Sequence, residues 1–297
     1  MAAERPEKPA RAAKNPAKQA KDKVTNDGPE RVQKLLARAG IGSRREIEGW
    51  MAAGRLTVNG LAVAPGQKAT VQDRFELDGK RLEVSGASEV LRRVLIYNKP
   101  EGEVNTRKDP EGRPTVFDRL PRLKEHRWIS IGRLDINTEG LLLLTNDGGL
   151  SRILELPTTG WLRKYRVRAH GQITQAQLDK LKDGVAVDGV LYGGIEAKID
   201  HDQGANVWMT IGLREGKNRE IKNVLEALGL RVNRLIRVSY GPFQLRDLKP
   251  GEVDLIKRRV LAEQLGPKLA GEFGLDGPSE DERARRAKRG PKRGAAK

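Results

Sequence analysis

Residues 132–147 read GRLDINTEGLLLLTND, and the four leucines at 141–144 constrain the fold more than any other stretch. They are too few to span a membrane and too uniformly apolar for an exposed segment, which predicts a buried strand. A chain with such a strand needs cover for it, and therefore a real core. The carboxylate just before it, Asp135, has two readings. It fits a loop aspartate that accepts backbone hydrogen bonds where a turn enters the strand. It also fits an acid anchored to a rigid element so that its position is controlled.

The rest of the chain is α+β. Strands are predicted at 94–97, 140–145, 164–170, 194–200 and 207–213, and helices at 149–156, 174–182 and 218–228, without a regular βαβ repeat. The length of 297 residues leaves room for one large domain and a smaller one. With no cysteine, disulfides, thiol chemistry and cysteine-ligated zinc are excluded. The N-terminus lacks the apolar core of a signal peptide, and no 18-residue apolar run suggests a membrane partner. Cytoplasm is the expected location.

The net charge is +17, of which residues 1–30 carry +2 and residues 266–297 carry +4. The remaining +11 lies on 31–265, so the body itself, and not only its tails, favours a polyanion such as nucleic acid. Residues 1–29 are rich in Ala, Lys and Pro and are expected to be disordered, as is 266–297. Within the latter, 283–297 holds 8 basic and no acidic residues, an arm suited to phosphates or simply to solubility.

The first folded unit is expected over 30–84. Val32, Leu35, Leu36 and Ala39 recur at helical spacing, and Gly40 closes the helix. Ser43 with Glu46 is a capping box for a second helix that ends at Gly54. Asn59-Gly60 then predicts a hairpin. Lys34, Arg38, Arg44 and Arg45 fall on or beside the helices, away from the apolar positions, and predict a phosphate-binding face. The whole segment RVQKLLARAGIGSRREIEGWMAAGRLTVNGLAV resembles the small alpha-L RNA-binding domain of a ribosomal protein and several RNA-modifying enzymes.

After a linker at 85–90, a catalytic domain is expected over 91–265. GLREGKNRE fits neither common phosphate-binding fingerprint, so no nucleotide cofactor is expected. His126, His170 and His201 lack ligand spacing, and no metal is expected. Three blocks stand out in order: GRLDINTEGLLLLTNDG, KYRVRAHG, and the long LREGKNREIKNVLEALGLRVNRLIRVSYGPFQLRDLKPGE. In the third, Asn218 is a candidate cap for a helix with Ile221, Val224, Leu225 and Leu228 on its apolar face. Together the blocks resemble the bacterial ribosomal RNA pseudouridine synthases, in the group that joins type A of the small ribosomal particle with type B of the large one.

That resemblance implies a central mixed, largely antiparallel sheet and cofactor-independent isomerisation of a uridine in ribosomal RNA, with large-subunit RNA the expected substrate. It implies Asp135 as the catalytic carboxylate, Tyr165 as the active-site tyrosine and Lys222 as the base paired with the acid. Arg133, Lys217 and Arg219 are expected near RNA phosphates. LPTTGWLRKYRVR departs from the family by carrying Trp161 and Leu162 where a more acidic run is the pattern, a difference expected to affect the loop. The other reading is a non-catalytic RNA-binding ribosome-assembly protein. It shares the basic charge, but only an isomerase requires the acid, tyrosine and base together.

Overall fold

Ser43 starts the best-defined helix of the first unit. Its hydroxyl accepts the Glu46 N–H and the Glu46 carboxylate accepts the Ser43 N–H, closing the expected capping box. This helix, α2 (Arg44–Ala52), packs beside α1 (Val32–Arg38) through Leu35, Leu36, Ile47 and Met51. Strands β1 (Leu56–Val58), β2 (Leu61–Ala62), β3 (Phe75–Leu77) and β4 (Lys80–Leu82) form a sheet of order β2-β1-β3-β4 beneath them. Asn59 (φ 54°) and Gly60 (φ 82°) make the predicted tight turn between β1 and β2. The computed structural model describes residues 28–84, 92–123 and 126–276, so the expected linker 85–90, nearly all of the tail 1–29 and the 283–297 arm lie outside the described residues.

The second unit is built on one large sheet. Its main strands are β5 (Val94–Lys99), β6 (Ile129–Ile131), β7 (Glu139–Thr145), β8 (Arg163–His170), β9 (Ile195–Gln203), β10 (Asn206–Leu213), β11 (Arg231–Tyr240) and β12 (Val253–Leu255), and a ninth, two-residue strand (Phe243–Gln244) pairs with β11. The order is β9-β10-β8-β11-β7-β5-β12, with β6 alongside β7. All these pairs are antiparallel except β7 with β11, where Glu139 faces Ile236 and Gly140 faces Arg237 in parallel register. The sheet is therefore mixed and largely antiparallel, as expected, and the parallel pair is a seam between two halves.

The four leucines answer to both faces of this sheet. Leu141 and Leu143 pack with α3 (Gly148–Glu155) and α6 (Arg258–Glu272), while Leu142 and Leu144 pack with Val116, Leu120, Trp128 and Leu134. All four are fully buried, each stabilising the fold by about 2 kcal/mol. Cover on two sides removes the usual alternation and leaves a continuous apolar run. In the other half, α4 (Gln175–Asp179) and α5 (Glu220–Ala227) cover one face through Leu178, Ile221, Val224 and Leu225.

Three expectations change. Strand β11 is ten residues long and central, yet its arginines at 231, 234 and 237 mask it as a polar segment. Asn218 does not cap α5 with its side chain. The cap is Arg219, in a left-handed conformation (φ 51°), because the Glu220 carboxylate accepts the Lys217 N–H and tightens the preceding turn by one residue. The boundary at 265 falls inside α6, so the disordered tail does not begin at 266. Leu265, Ala270, Phe273 and Leu275 belong to the core, and the helix kinks at Gly266 before Pro267.

Candidate active site

Asp135 lies in the loop between β6 and β7, not on the leucine strand itself. Leu134 points into the core beside Leu142 and Trp128, which leaves the Asp135 side chain exposed on the opposite side. Its own carbonyl accepts the Thr138 N–H at 3.0 Å, and the Ile136 carbonyl accepts the Gly102 N–H at 2.9 Å. The fully buried Lys99 completes the clamp. Its ammonium donates to the carbonyls of Pro100 (2.9 Å), Ile136 (3.2 Å) and Thr138 (2.9 Å). Burial pushes the Lys99 ammonium down to about 8, with Glu103, Glu101, Glu139 and Asp135 opposing that shift. In the sequence Lys99 reads as part of a break after a strand. The signal available is its place at the end of an apolar strand, just before Pro100.

A cavity of about 570 Å³ opens over the seam of the sheet. Asp135, Tyr165 and Lys222 all line it, brought together from three segments far apart in the chain. Tyr165 is buried on β8, between Ile211 of β10 and Arg237 of β11. Lys222 is half-buried in the first turn of α5. Among the described residues no ion pair forms between Lys222 and Asp135. Arg133, Lys217 and Arg219 line the same cavity and are exposed. They are not equivalent: the Lys217 ammonium donates to the Glu215 carboxylate (2.8 Å) and the Leu191 carbonyl (2.6 Å). Arg133 and Arg219 have no carboxylate partner among the described residues.

Two further cavity residues escape a reading of the sequence. Arg237 is buried on β11, and its Nε donates to the Leu141 carbonyl at 2.7 Å, tying the two sides of the seam together. Among the described residues, its buried Nη2 has no hydrogen-bond partner. Glu220, also buried, accepts the Lys217 N–H at 3.0 Å. Burial raises the Glu220 carboxyl to about 7, and the nearby Glu215 charge adds to the shift. Arg163 fastens the 214–219 loop over the site, donating to the carbonyls of Arg214 (2.9 Å) and Glu215 (3.2 Å) and to the Tyr240 hydroxyl (3.1 Å). Trp161, one of the two departures from the family pattern, packs edge-on against Tyr240 and Phe243, so it anchors the loop that leads into β8.

Of the four cations expected on the first unit, Arg44 and Arg45 are exposed on α2. Lys34 pairs with Glu30 at 2.8 Å, and Arg38 pairs with the same carboxylate. All four line a second cavity, between the first and second units.

Comparison with known proteins matches two separate segments of the chain. Residues 93–227 match the RNA pseudouridylate synthase family, and residues 30–75 match the S4 domain. The pair defines a class, that of pseudouridylate synthases carrying an S4 domain. Ribosomal large subunit pseudouridine synthase B of Pseudomonas aeruginosa is 46% identical over 244 residues, covering 80% of this chain and 63% of that protein. The protein of the same name from Escherichia coli (strain K12) is 43% identical over 272 residues, covering 89% of this chain and 94% of that protein. The chain belongs to the ribosomal large subunit pseudouridine synthase B family. A crystal structure of a pseudouridylate synthase shares the fold, with a TM-score of 0.57 at 23% identity over 80% of this chain and 100% of the other.

Proposed function

We propose that the chain converts a uridine of large-subunit ribosomal RNA to pseudouridine, with Asp135, Tyr165 and Lys222 as the reacting group's neighbours. The observation that carries this reading is the convergence of those three side chains on one cavity at the seam of the sheet. The reaction is an isomerisation. The bond from ribose C1′ to uracil N1 breaks, the base turns, a bond from C1′ to C5 forms, and the C5 proton leaves as N1 gains one.

Asp135 supplies a carboxylate at the sugar. It serves either by bonding to C1′ as the base leaves or by taking the C2′ proton to open a glycal route. Both demand a short, aimed acid, which the Lys99 clamp and the Leu134 anchor provide. Tyr165 offers a ring on which an extruded uracil stacks. Lys222 adds positive charge that favours the ionised acid. The first unit holds structured RNA through Arg44 and Arg45, supported by Lys34 and Arg38, and Arg133 and Arg219 meet phosphates at the cavity. A ribosomal RNA substrate is met in the cytoplasm, which is the location this reading requires.

The test is pseudouridine mapping after incubating the chain with ribosomal RNA from each of the two ribosomal particles. One new pseudouridine in the large-subunit RNA is expected. Modification of the small-subunit RNA alone rejects the substrate assignment. Binding without any modification favours the non-catalytic assembly protein.

A further inference from the structure

The cavity between the first unit and the catalytic domain measures about 810 Å³. One wall is the cationic face of α1 and α2. The opposite wall, from the catalytic domain, carries Arg107, Arg127 and Arg152. Cations gathered in a cleft are normally neutralised by carboxylates. Here Glu30 takes Lys34 and Arg38, and Asp147 takes Arg92. Among the described residues, Arg107, Arg127 and Arg152 have no carboxylate partner. Glu46 of α2 lies within the field of Arg127, but its carboxylate accepts the Ser43 N–H and no ion pair joins the two.

Arg107 is held in place rather than loose. Its guanidinium lies 4.5 Å from the centre of the Phe117 ring, and its Nη2 donates to the Trp128 carbonyl at 2.5 Å. Partial desolvation lowers both Arg107, whose side chain still reaches solvent, and Arg127 from the ordinary arginine value, and the Arg127 charge lowers Arg107 further. Two neighbouring guanidiniums that repel each other on one wall of a cleft have a shared remedy, an anion between them. The cleft also has an address. Ser130 and Glu155 line both it and the catalytic cavity, so the two spaces share a wall made by β6 and α3.

We propose that Arg107, Arg127 and Arg152 form a phosphate-binding wall facing α1 and α2, which grips the RNA backbone next to the nucleotide that enters the catalytic cavity. This rests on the uridine-isomerising reading above. The ligand chemistry is a phosphodiester chain. Its charges repeat along a line, matching cations spread over both walls of a cleft better than a single small anion does. The wall converts two separate modules into one binding surface, so RNA held by the first unit is delivered in register with Asp135.

The experiment measures the Kd of a large-subunit ribosomal RNA fragment against salt concentration. It compares the full chain, Arg107→Gln/Arg127→Gln, and Lys198→Gln on the edge strand β9 as a control. Loss of two phosphate contacts is expected to flatten the log–log salt slope by about 1.4–1.8. Binding near 0.1 M salt is expected to weaken at least about tenfold, with the control unchanged. An unchanged slope and affinity in the folded double variant overturns the wall, as does an equal loss in the control. If the double variant melts early, Arg152→Gln, at an exposed position, carries the same test with roughly half the slope change. Pseudouridine formation by the full chain is scored separately. Its absence alongside a flattened slope rejects the uridine reading and keeps the wall, whereas its presence with an unaltered slope does the reverse.

Discussion

Gly140 and Arg237 face each other across the parallel seam so closely that a Cβ on Gly140 would stand 2.3 Å from the Arg237 carbonyl oxygen and 2.9 Å from its nitrogen. The Gly140 backbone also has φ of 98°, a conformation that side chains resist. Immediately beyond, the Arg237 Nε donates to the Leu141 carbonyl. The strand that follows Asp135 is thus fused to β11 at the floor of the cavity.

Gly140→Ala is expected to destabilise the chain by roughly 3 kcal/mol or more, since backbone atoms that cannot swing away meet the new methyl group. Urea unfolding monitored by circular dichroism measures this. A loss under about 0.5 kcal/mol is incompatible with the close approach.

Asp135→Asn preserves shape and removes charge. Isomerisation is expected to fall by at least about 10³-fold, while folding and RNA affinity survive. Pseudouridine formation on a defined RNA fragment, with binding followed separately, decides it. A variant that turns over at the wild-type rate removes Asp135 from the mechanism.

Lys99→Met deletes the buried ammonium and leaves carbonyls of the Asp135 loop short of a donor. A stability loss of about 1–3 kcal/mol is expected, with a fall in turnover of roughly tenfold. The pH dependence carries its own sign. Below about pH 8 the ammonium is charged in both folded and unfolded chains, and its burial penalty stands in full. From about 8 up to the ordinary lysine value of 10.5, the folded chain loses the proton first, so stability from this group rises with pH. Over the same window the clamp loses a donor, and wild-type turnover is expected to decline. An alkaline decline that persists undiminished in Lys99→Met assigns it to another group.

Glu220→Gln tests the buried carboxyl. With a folded value of about 7 against an ordinary 4.5, Glu220 is protonated in the folded chain while ionised in the unfolded one across that interval. Its contribution is therefore complete below about 4.5 and is lost as pH rises through about 7. The amide still accepts from the Lys217 N–H without carrying charge. The variant is expected to gain ~2 kcal/mol at pH 8 relative to wild type and to match it at about pH 4. Melting curves at the two pH values read the difference, and identical curves for both proteins at pH 8 count against a destabilising Glu220 charge.

Local chemistry was legible in the sequence. The Ser43–Glu46 box, the Asn59-Gly60 turn, the leucine strand and the limits of α3 and β8 each depend on residues a few positions apart, so composition and period suffice to place them. The three blocks also named Asp135, Tyr165 and Lys222, which the fold brings to one cavity. What tertiary structure alone decided is which charged residues are inside. Lys99, Arg237 and Glu220 read as surface residues by type, because charged side chains are seldom buried unless paired. Their burial is set by partners distant in the chain: Thr138 for Lys99 and Leu141 for Arg237. Strand β11 was hidden for the same reason, since its arginines break the alternation that marks a strand, and only the neighbours β7 and β8 make a strand of it. Sequence determined most of the elements and the candidate acid. The seam, its buried cations and the cleft between the units exist only once long-range pairing places them, because burial and pairing are properties of the assembled neighbourhood and not of the residue.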